Sequence, residues 1–250
     1  MRLMILFTCL CCAQLLSAQT KTIHVLVALC DNQYQGIVKV PARIGNGQDP
    51  ANNLYWGCGY GVSTFLKKQP DWKLVRAIAN PSANIYERLV FKHNSKNCYL
   101  VADAYNGAHM KQTITTFLDY AAGKQPVALN EPVVQAGGSA QLICFVGHNG
   151  LMDFQLAETP SPVNKRSRQV AIFACASKPY FYEAVKRTGA QPLIWTTHLL
   201  SPEAYTLDAM IDAWLLDEDT AAIHEKVAQA YNKYQHCGIK GARNLFATGW

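Results

Sequence analysis

The stretch Leu142-Ile-Cys-Phe-Val-Gly-His-Asn-Gly150 decides the fold of this chain. Its apolar part belongs to a run over residues 140–146, which is typical of a strand buried on both faces of a parallel sheet. A second run over residues 169–174 has the same character and ends at Cys175. Open parallel sheets carry their ligand and catalytic sites at the carboxyl ends of the strands. The two runs therefore predict a parallel sheet with a functional edge.

The rest of the chain alternates β-type apolar runs with amphipathic helical patterns, the order of a parallel sheet covered by helices. The further predicted strands are 23–29, 72–78, 89–93, 98–104 and 192–197, and the helices are 52–68, 109–122, 180–187, 202–216 and 219–234. Strands 89–93 and 98–104 predict a hairpin at a sheet edge. Residues 126–138 fit neither pattern, and 158–168 indicate an exposed loop. The expected fold class is α/β: a three-layer α/β/α sandwich with a mainly parallel sheet and an edge hairpin.

The N-terminus has the pattern of a cleavable signal peptide. Arg2 precedes an apolar run over residues 3–16 and the small residues Ser17-Ala18, and no acidic residue occurs before Asp31. The run is shorter than the roughly 20 apolar residues that span a bilayer, so we expect no stable membrane insertion. We predict a signal peptide over 1–18, one α/β domain over 19–250, and a periplasmic or extracellular location. A lipid-anchored product remains an alternative.

Composition excludes several classes of function. Half of the residues are hydrophobic and 16% are charged, as in globular proteins. The formal charge of +6 comes from scattered basic residues, so we expect no nucleic-acid partner. The histidines and cysteines lack the spacing of metal ligands, and no phosphate-binding or dinucleotide glycine motif follows a strand. We therefore expect neither a metal nor a cofactor.

His148 and Cys175 each follow a predicted buried strand. Because neighbouring strands lie about 4.8 Å apart, these side chains share one pocket if their strands are adjacent. A cysteine thiolate is a nucleophile, and a nearby imidazole can take up the thiol proton and later protonate a leaving amine. The alternative is that Cys175 is a small buried apolar residue, which is the commonest role of a cysteine.

The two motifs, Leu142 to Gly150 and Val170-Ala-Ile-Phe-Ala-Cys-Ala-Ser177, resemble those of the caspase, legumain and gingipain superfamily of cysteine peptidases. The resemblance implies a caspase-like domain and a peptide or protein substrate. It also implies His148 as general base and acid and Cys175 as the nucleophile that forms an acyl-enzyme. Backbone N–H groups at Asn149, Gly150 and Cys175 would stabilise the oxyanion.

The resemblance also implies a set of substrate-binding residues. Pro41-Ala-Arg43-Ile-Gly45 is similar to the loop that carries a pocket arginine, and an arginine there favours an acidic side chain or a C-terminal carboxylate. Arg43 could equally be a solvated loop residue paired with Asp49. Asp31 is either a turn-forming residue or a pocket wall. Phe173 and Ser177, which flank Cys175, complete the expected set.

Three functions are compatible with these residues. The first is an exported cysteine peptidase or amidohydrolase with a His148–Cys175 dyad. The second is a catalytically inactive caspase-like domain that binds a peptide or protein partner in the same crevice. The third is a flavodoxin-like α/β binding domain that uses the strand ends without a thiol. Export exposes a reactive thiol to oxidation, so a working Cys175 is expected to stay outside any disulfide.

Overall fold

The computed structural model describes residues 20–250, so the predicted signal peptide lies outside the described residues. The strands are β1 Lys21–Ala28, β2 Trp72–Ser82, β3 Ile85–His93, β4 Cys98–Tyr105, β5 Pro126–Asn130, β6 Val133–Gly137, β7 Leu142–Val146, β8 Gln169–Phe173, β9 Gln191–Thr196 and β10 Phe246–Ala247. The α-helices are α1 Val62–Leu66, α2 Met110–Ala121, α3 Ser177–Thr188, α4 Ala204–Leu215, α5 Thr220–Gln235 and α6 Ile239–Leu245. Short 3-10 helices cover Gly107–His109 and Gly150–Met152.

Eight strands form one mixed sheet in the order β10-β9-β8-β7-β1-β4-β3-β2. The five strands from β9 to β4 in this order run parallel, and β10, β3 and β2 are antiparallel to their neighbours. β7 lies between β1 and β8, so the two apolar runs over residues 140–146 and 169–174 are adjacent parallel strands. The predicted α/β class with a mainly parallel sheet is confirmed.

The helices cover both faces of the sheet because the central strands are apolar on both faces. In β7, Leu142, Cys144 and Val146 belong to one core cluster, whereas Ile143 and Phe145 belong to the other. Helices α1, α4, α5 and α6 pack on the first cluster, and α2 and α3 on the second. This period-two alternation produces the expected three layers.

The predicted helix over 52–68 is wrong for most of its length. Only Val62–Leu66 is helical, and the preceding residues form consecutive turns. Asn53 explains this path, because its buried side chain accepts hydrogen bonds from the N–H groups of Cys30 and Tyr55 and donates to the Cys30 carbonyl. The bond to the Tyr55 N–H is local, and local bonds between a side chain and the backbone compete with helix formation. It ties the loop to the end of β1.

The segment 126–138, which the sequence left unassigned, forms the separate hairpin β5–β6. A buried ion pair lies beside it. The Gly137 N–H donates to Nδ1 of His24 at 2.8 Å, and Nε2 of His24 donates to Asp103 at 3.0 Å. Arg88 binds the same carboxylate through two hydrogen bonds of 2.7 Å. Burial alone would raise the pKa of Asp103, but His24 and Arg88 outweigh it and hold that pKa below its usual value.

The hairpin expected at the edge has a different position. The strands predicted at 89–93 and 98–104 do pair, as β3 and β4, but β4 also pairs with β1 on its other side. The edge strand is β2, which the sequence predicted only up to residue 78 and which continues to Ser82. β2 and β3 therefore form the hairpin at the edge of the sheet.

Candidate active site

A cavity of about 460 Å³ opens at the carboxyl ends of the central strands. His148 and Cys175 both lie on its wall, so the structure brings the predicted dyad together in one cavity. Its mouth carries exposed apolar side chains: Val38 is 91% exposed, Leu199 74% and Met152 43%. The complete wall consists of Gly36, Ile37, Val38, Val40, Leu54, Tyr55, Gly147, His148, Met152, Cys175, Leu199, Leu200, Ser201, Pro202, Glu203 and Gln235.

His148 reaches the cavity because β7 ends at Val146 and the chain turns at Gly147. Gly147 has φ +148°, and a Cβ atom there would lie 2.8 Å from the carbonyl oxygen of Ala28 on β1. A residue without a Cβ is therefore required for this close approach. The N–H of Gly147 donates to the Phe173 carbonyl at 3.1 Å, which joins the end of β7 to the end of β8.

His148 is paired with a carboxylate that the sequence did not predict. Nε2 of His148 donates to Oδ2 of Asp153 at 2.7 Å. The His148 side chain is 6% exposed and that of Asp153 34%. The same Asp153 oxygen accepts the N–H of Gly36 at 3.1 Å, so the loop after β1 fixes the carboxylate. Nδ1 of His148 makes no hydrogen bond with any described residue, which leaves it free to accept a proton.

Cys175 lies on the sharp turn between β8 and α3. The next residue, Ala176, has the left-handed conformation with φ 45° and ψ 41°, which is strained for a residue other than glycine. The Ala176 N–H donates to the His198 carbonyl at 2.8 Å. The Cys175 thiol donates to the Leu200 carbonyl at 3.5 Å and accepts the Leu200 N–H at 3.4 Å. The described residues include no hydrogen bond between this thiol and His148.

Asn149 joins the two strand ends through its side chain. It is fully buried, its Nδ2 donates to the Cys175 carbonyl at 2.7 Å, and its Oδ1 accepts the Leu151 N–H at 3.1 Å. The Gly150 N–H, a predicted oxyanion donor, donates instead to the His148 carbonyl at 3.1 Å. The backbone N–H groups of Asn149 and Cys175 donate to no acceptor within residues 20–250.

Four residues predicted to bind substrate lie outside the cavity wall. Arg43 donates to the Asn52 side chain at 2.9 Å. Asp31 is buried and accepts the N–H groups of residues 33 and 34, so it forms the turn. Phe173 is 1% exposed and belongs to the core. The hydroxyl of Ser177 donates to the Ile172 carbonyl at 3.0 Å and anchors the start of α3.

Glu203 and Tyr55 are wall residues that sequence reasoning missed. Oε2 of Glu203 accepts the Tyr205 hydroxyl at 2.9 Å and the Gln235 amide at 3.1 Å. Burial raises the pKa of Tyr55 well above its usual value, so this wall residue is a neutral phenol. Position 203 directly precedes α4, but a glutamate at the start of a helix is too common to indicate a site.

The six cysteines of residues 20–250 are all unpaired, including Cys175. Burial raises the pKa of the Cys30 thiol to about 11 and that of Cys98 to about 12. Cys144 is fully buried, and burial raises its pKa further still. These three thiols are therefore protonated at neutral pH and behave as core residues. Cys175 differs from them in lying on a cavity wall.

Within residues 20–250, no group of three or more His, Cys, Asp or Glu side chains could hold a metal ion. In the same part of the chain, no helix is both long and apolar enough to cross a bilayer. Comparison with known proteins finds no family model, no curated relative and no solved structure that matches this chain.

Proposed function

We propose that this protein is a cysteine hydrolase of peptides or related amides, in which Cys175 is the nucleophile and His148 the general base. One observation carries the proposal: the thiol and a carboxylate-bound imidazole lie on the wall of the same cavity, at the ends of adjacent parallel strands. A nucleophile, a base and a group that orients the base are the components of such a site.

The reaction follows from the hydrogen bonds. His148 uses Nδ1 to take the proton of the Cys175 thiol, because Nε2 is bonded to Asp153. The thiolate attacks the carbonyl carbon of the substrate, and the carbon–nitrogen bond breaks as His148 returns the proton to the leaving amine. Water, deprotonated by His148, then cleaves the thioester, releases a carboxylic acid and restores the thiol. No oxidant or reductant is required.

Two features of the turn support this role. The N–H of Leu200 donates to the sulfur and holds it at the cavity wall. Before attack, the thiol must rotate from the Leu200 carbonyl toward His148, and catalytic hydrogen bonds are often loose without substrate. The backbone N–H groups of Cys175 and Asn149 are the donors for the oxyanion, in place of Gly150, whose N–H is already bonded.

The test is hydrolysis of a broad peptide library together with alkylation of the thiols by iodoacetamide. We expect the wild type to cleave a subset of peptides and Cys175→Ala and His148→Ala to cleave none. Cys175 should also react faster than the exposed Cys237, which serves as the internal control because it lies outside the cavity wall. Labelling of Cys175 that is unchanged by His148→Ala, together with no turnover, contradicts the proposal.

A second function, peptide or protein binding without catalysis, is favoured by a different observation. The thiol is bonded to the Leu200 backbone rather than to the imidazole. A binding domain requires the cavity but not the sulfur. Cys175→Ala would then leave affinity for the partner unchanged in a calorimetric titration, whereas His148→Ala would have no effect on the reactivity of the thiol.

The proposal includes membership of the caspase, legumain and gingipain superfamily and export through residues 1–18. The pair of strand-end motifs and the adjacency of β7 and β8 support the membership. The apolar run over residues 3–16 and the small residues Ser17-Ala18 support export. N-terminal sequencing of the protein secreted by an expressing cell tests the export step. We expect the mature chain to begin at Gln19, and a mature chain that begins at Met1 would contradict it.

A further inference from the structure

Within residues 20–250, Glu203 is the one carboxylate on the cavity wall, and the proposed reaction does not use it. Its Oε2 is held by two neutral donors, the hydroxyl of Tyr205 and the side-chain amide of Gln235. Gln235 also donates to the Tyr205 hydroxyl at 2.7 Å, so the three groups form a closed network. Oε1 of Glu203 makes no hydrogen bond with any described residue. The network thus fixes the carboxylate and leaves one oxygen for a ligand.

In the part of the chain that the structure describes, no cation forms an ion pair with this carboxylate. Within residues 20–250, Glu203 makes no ion pair, and neither lysine nor arginine lies on the cavity wall. Arg43, the arginine expected at the pocket, is bonded to Asn52 instead. A carboxylate beside apolar surface without a counter-charge favours a ligand that brings the positive charge.

The position of Glu203 links it to the nucleophile. Leu200, whose backbone binds the Cys175 sulfur, lies three residues before it, and both residues lie on the cavity wall. The remainder of that wall is largely apolar, with Ile37, Val38 and Leu199 near the mouth. A substrate that reaches Cys175 therefore passes apolar side chains and a single fixed negative charge.

We propose that Glu203 is the specificity-determining residue of this cavity and binds a cationic group of the substrate. The cation is an ammonium or guanidinium, carried either by a lysine or arginine side chain or by a free peptide N-terminus. This inference rests on the proposed function, since it concerns the substrate of the same thiol. It replaces the expectation of an acidic substrate side chain, which depended on Arg43.

The test compares four dipeptide chloromethyl ketones that react with Cys175. The thiolate displaces chloride, a carbon–sulfur bond forms, and chloride leaves. Acetyl-Leu-norleucine is the neutral probe. Acetyl-Leu-Lys and acetyl-Lys-norleucine carry an ammonium group on the second and the first side chain, respectively. Leu-norleucine without the acetyl group carries an ammonium group at its N-terminus. The rate of adduct formation at Cys175 is measured by peptide mass spectrometry. The three cationic probes distinguish the possible sources of the charge.

We expect at least one cationic probe to label Cys175 about tenfold faster than the neutral probe, as a charge-assisted hydrogen bond implies. Glu203→Gln should abolish this preference, measured as the ratio of the labelling rates of the cationic and neutral probes. Glu183→Gln removes the same charge from an exposed position on α3 and should preserve the preference.

Equal rates for all four probes in the wild type overturn the inference while leaving the proposed nucleophile intact. This comparison needs no variant, so it holds even if Glu203→Gln folds poorly. If instead no probe labels Cys175 faster than Cys237, the proposed function itself fails, and the specificity inference fails with it.

Discussion

Replacing Asp153 by asparagine tests whether the carboxylate orients and supports His148. Asparagine has nearly the same shape, and its side-chain oxygen can still accept the N–H groups of Gly36 and of the imidazole. The variant therefore removes the negative charge and leaves the hydrogen-bond geometry in place. In the proposed reaction, the form of Cys175 that is alkylated is a thiolate paired with a protonated imidazole, and the carboxylate would stabilise that imidazolium.

The magnitude follows from the geometry of the pair. The 2.7 Å separation of His148 Nε2 and Asp153 Oδ2 is that of a strong hydrogen bond between charged groups once the imidazole is protonated. Such bonds contribute about 1.5–3 kcal/mol. Because the Asp153 side chain is 34% exposed, water screens part of this energy, and the lower half of the range applies. We therefore expect a loss of about 1.5–2 kcal/mol, which is roughly a 10- to 30-fold slower reaction.

The assay is the second-order rate of carboxymethylation of Cys175 by iodoacetamide at pH 7, followed by peptide mass spectrometry. Asp217→Asn is the matched control, since Asp217 likewise accepts a short hydrogen bond, from Lys21 at 2.6 Å, but is 80% exposed. Asp153→Glu should recover part of the rate because it restores the charge. A rate for Asp153→Asn within twofold of the wild type would refute the reasoning, as would an equal loss in Asp217→Asn.

Two further predictions concern stability. Burial, together with the nearby Asp212 and Asp71, raises the pKa of Asp208 to about 7, above its value in the unfolded chain. The native state therefore binds the proton more tightly than the unfolded state does, and the free energy of unfolding falls as pH rises from about 4 to 7. Asp208→Asn should therefore raise the free energy of unfolding at pH 8 by about 2–4 kcal/mol and have little effect at pH 4, and equal changes in urea denaturation at both pH values would contradict this. Ala176→Gly should stabilise the fold by about 0.5–1 kcal/mol, because glycine accepts φ 45° without strain, and a lower melting temperature would contradict it.

The central sheet could be predicted because a strand that is buried on both faces consists almost entirely of apolar residues. The runs over 140–146 and 169–174 contain almost only apolar residues, and each is a strand of the parallel sheet. The segment 52–68 misled the prediction for a physical reason. Its apolar residues have helical spacing, yet the Asn53 side chain binds the backbone of Cys30 and holds the chain in turns. A tertiary contact overrode the local pattern.

The candidate site divides in the same way. His148 and Cys175 could be predicted because each follows a recognisable strand. Asp153 could not, since its distance from His148 along the chain matches no regular spacing and its position depends on the turn that begins at Asn149. Glu203 required the path of the chain from β9 to α4 to be known. Arg43 differs from both: its motif-like loop suggested a pocket residue, and the structure places its side chain on Asn52, outside the cavity wall.

Backbone groups make much of the contact that holds the candidate pair, His148 and Cys175, which explains why no motif reveals this support. Leu200 holds the sulfur through its N–H and carbonyl, and Gly36 holds Asp153 through its N–H. Any residue other than proline supplies such a donor, so position 200 carries no sequence signature. Gly36 is constrained differently, because a Cβ atom there would collide with the Asp153 carboxylate. A Cβ atom at position 36 would therefore displace the Asp153 carboxylate, and this glycine links the cavity wall to the imidazole through its bond to Asp153.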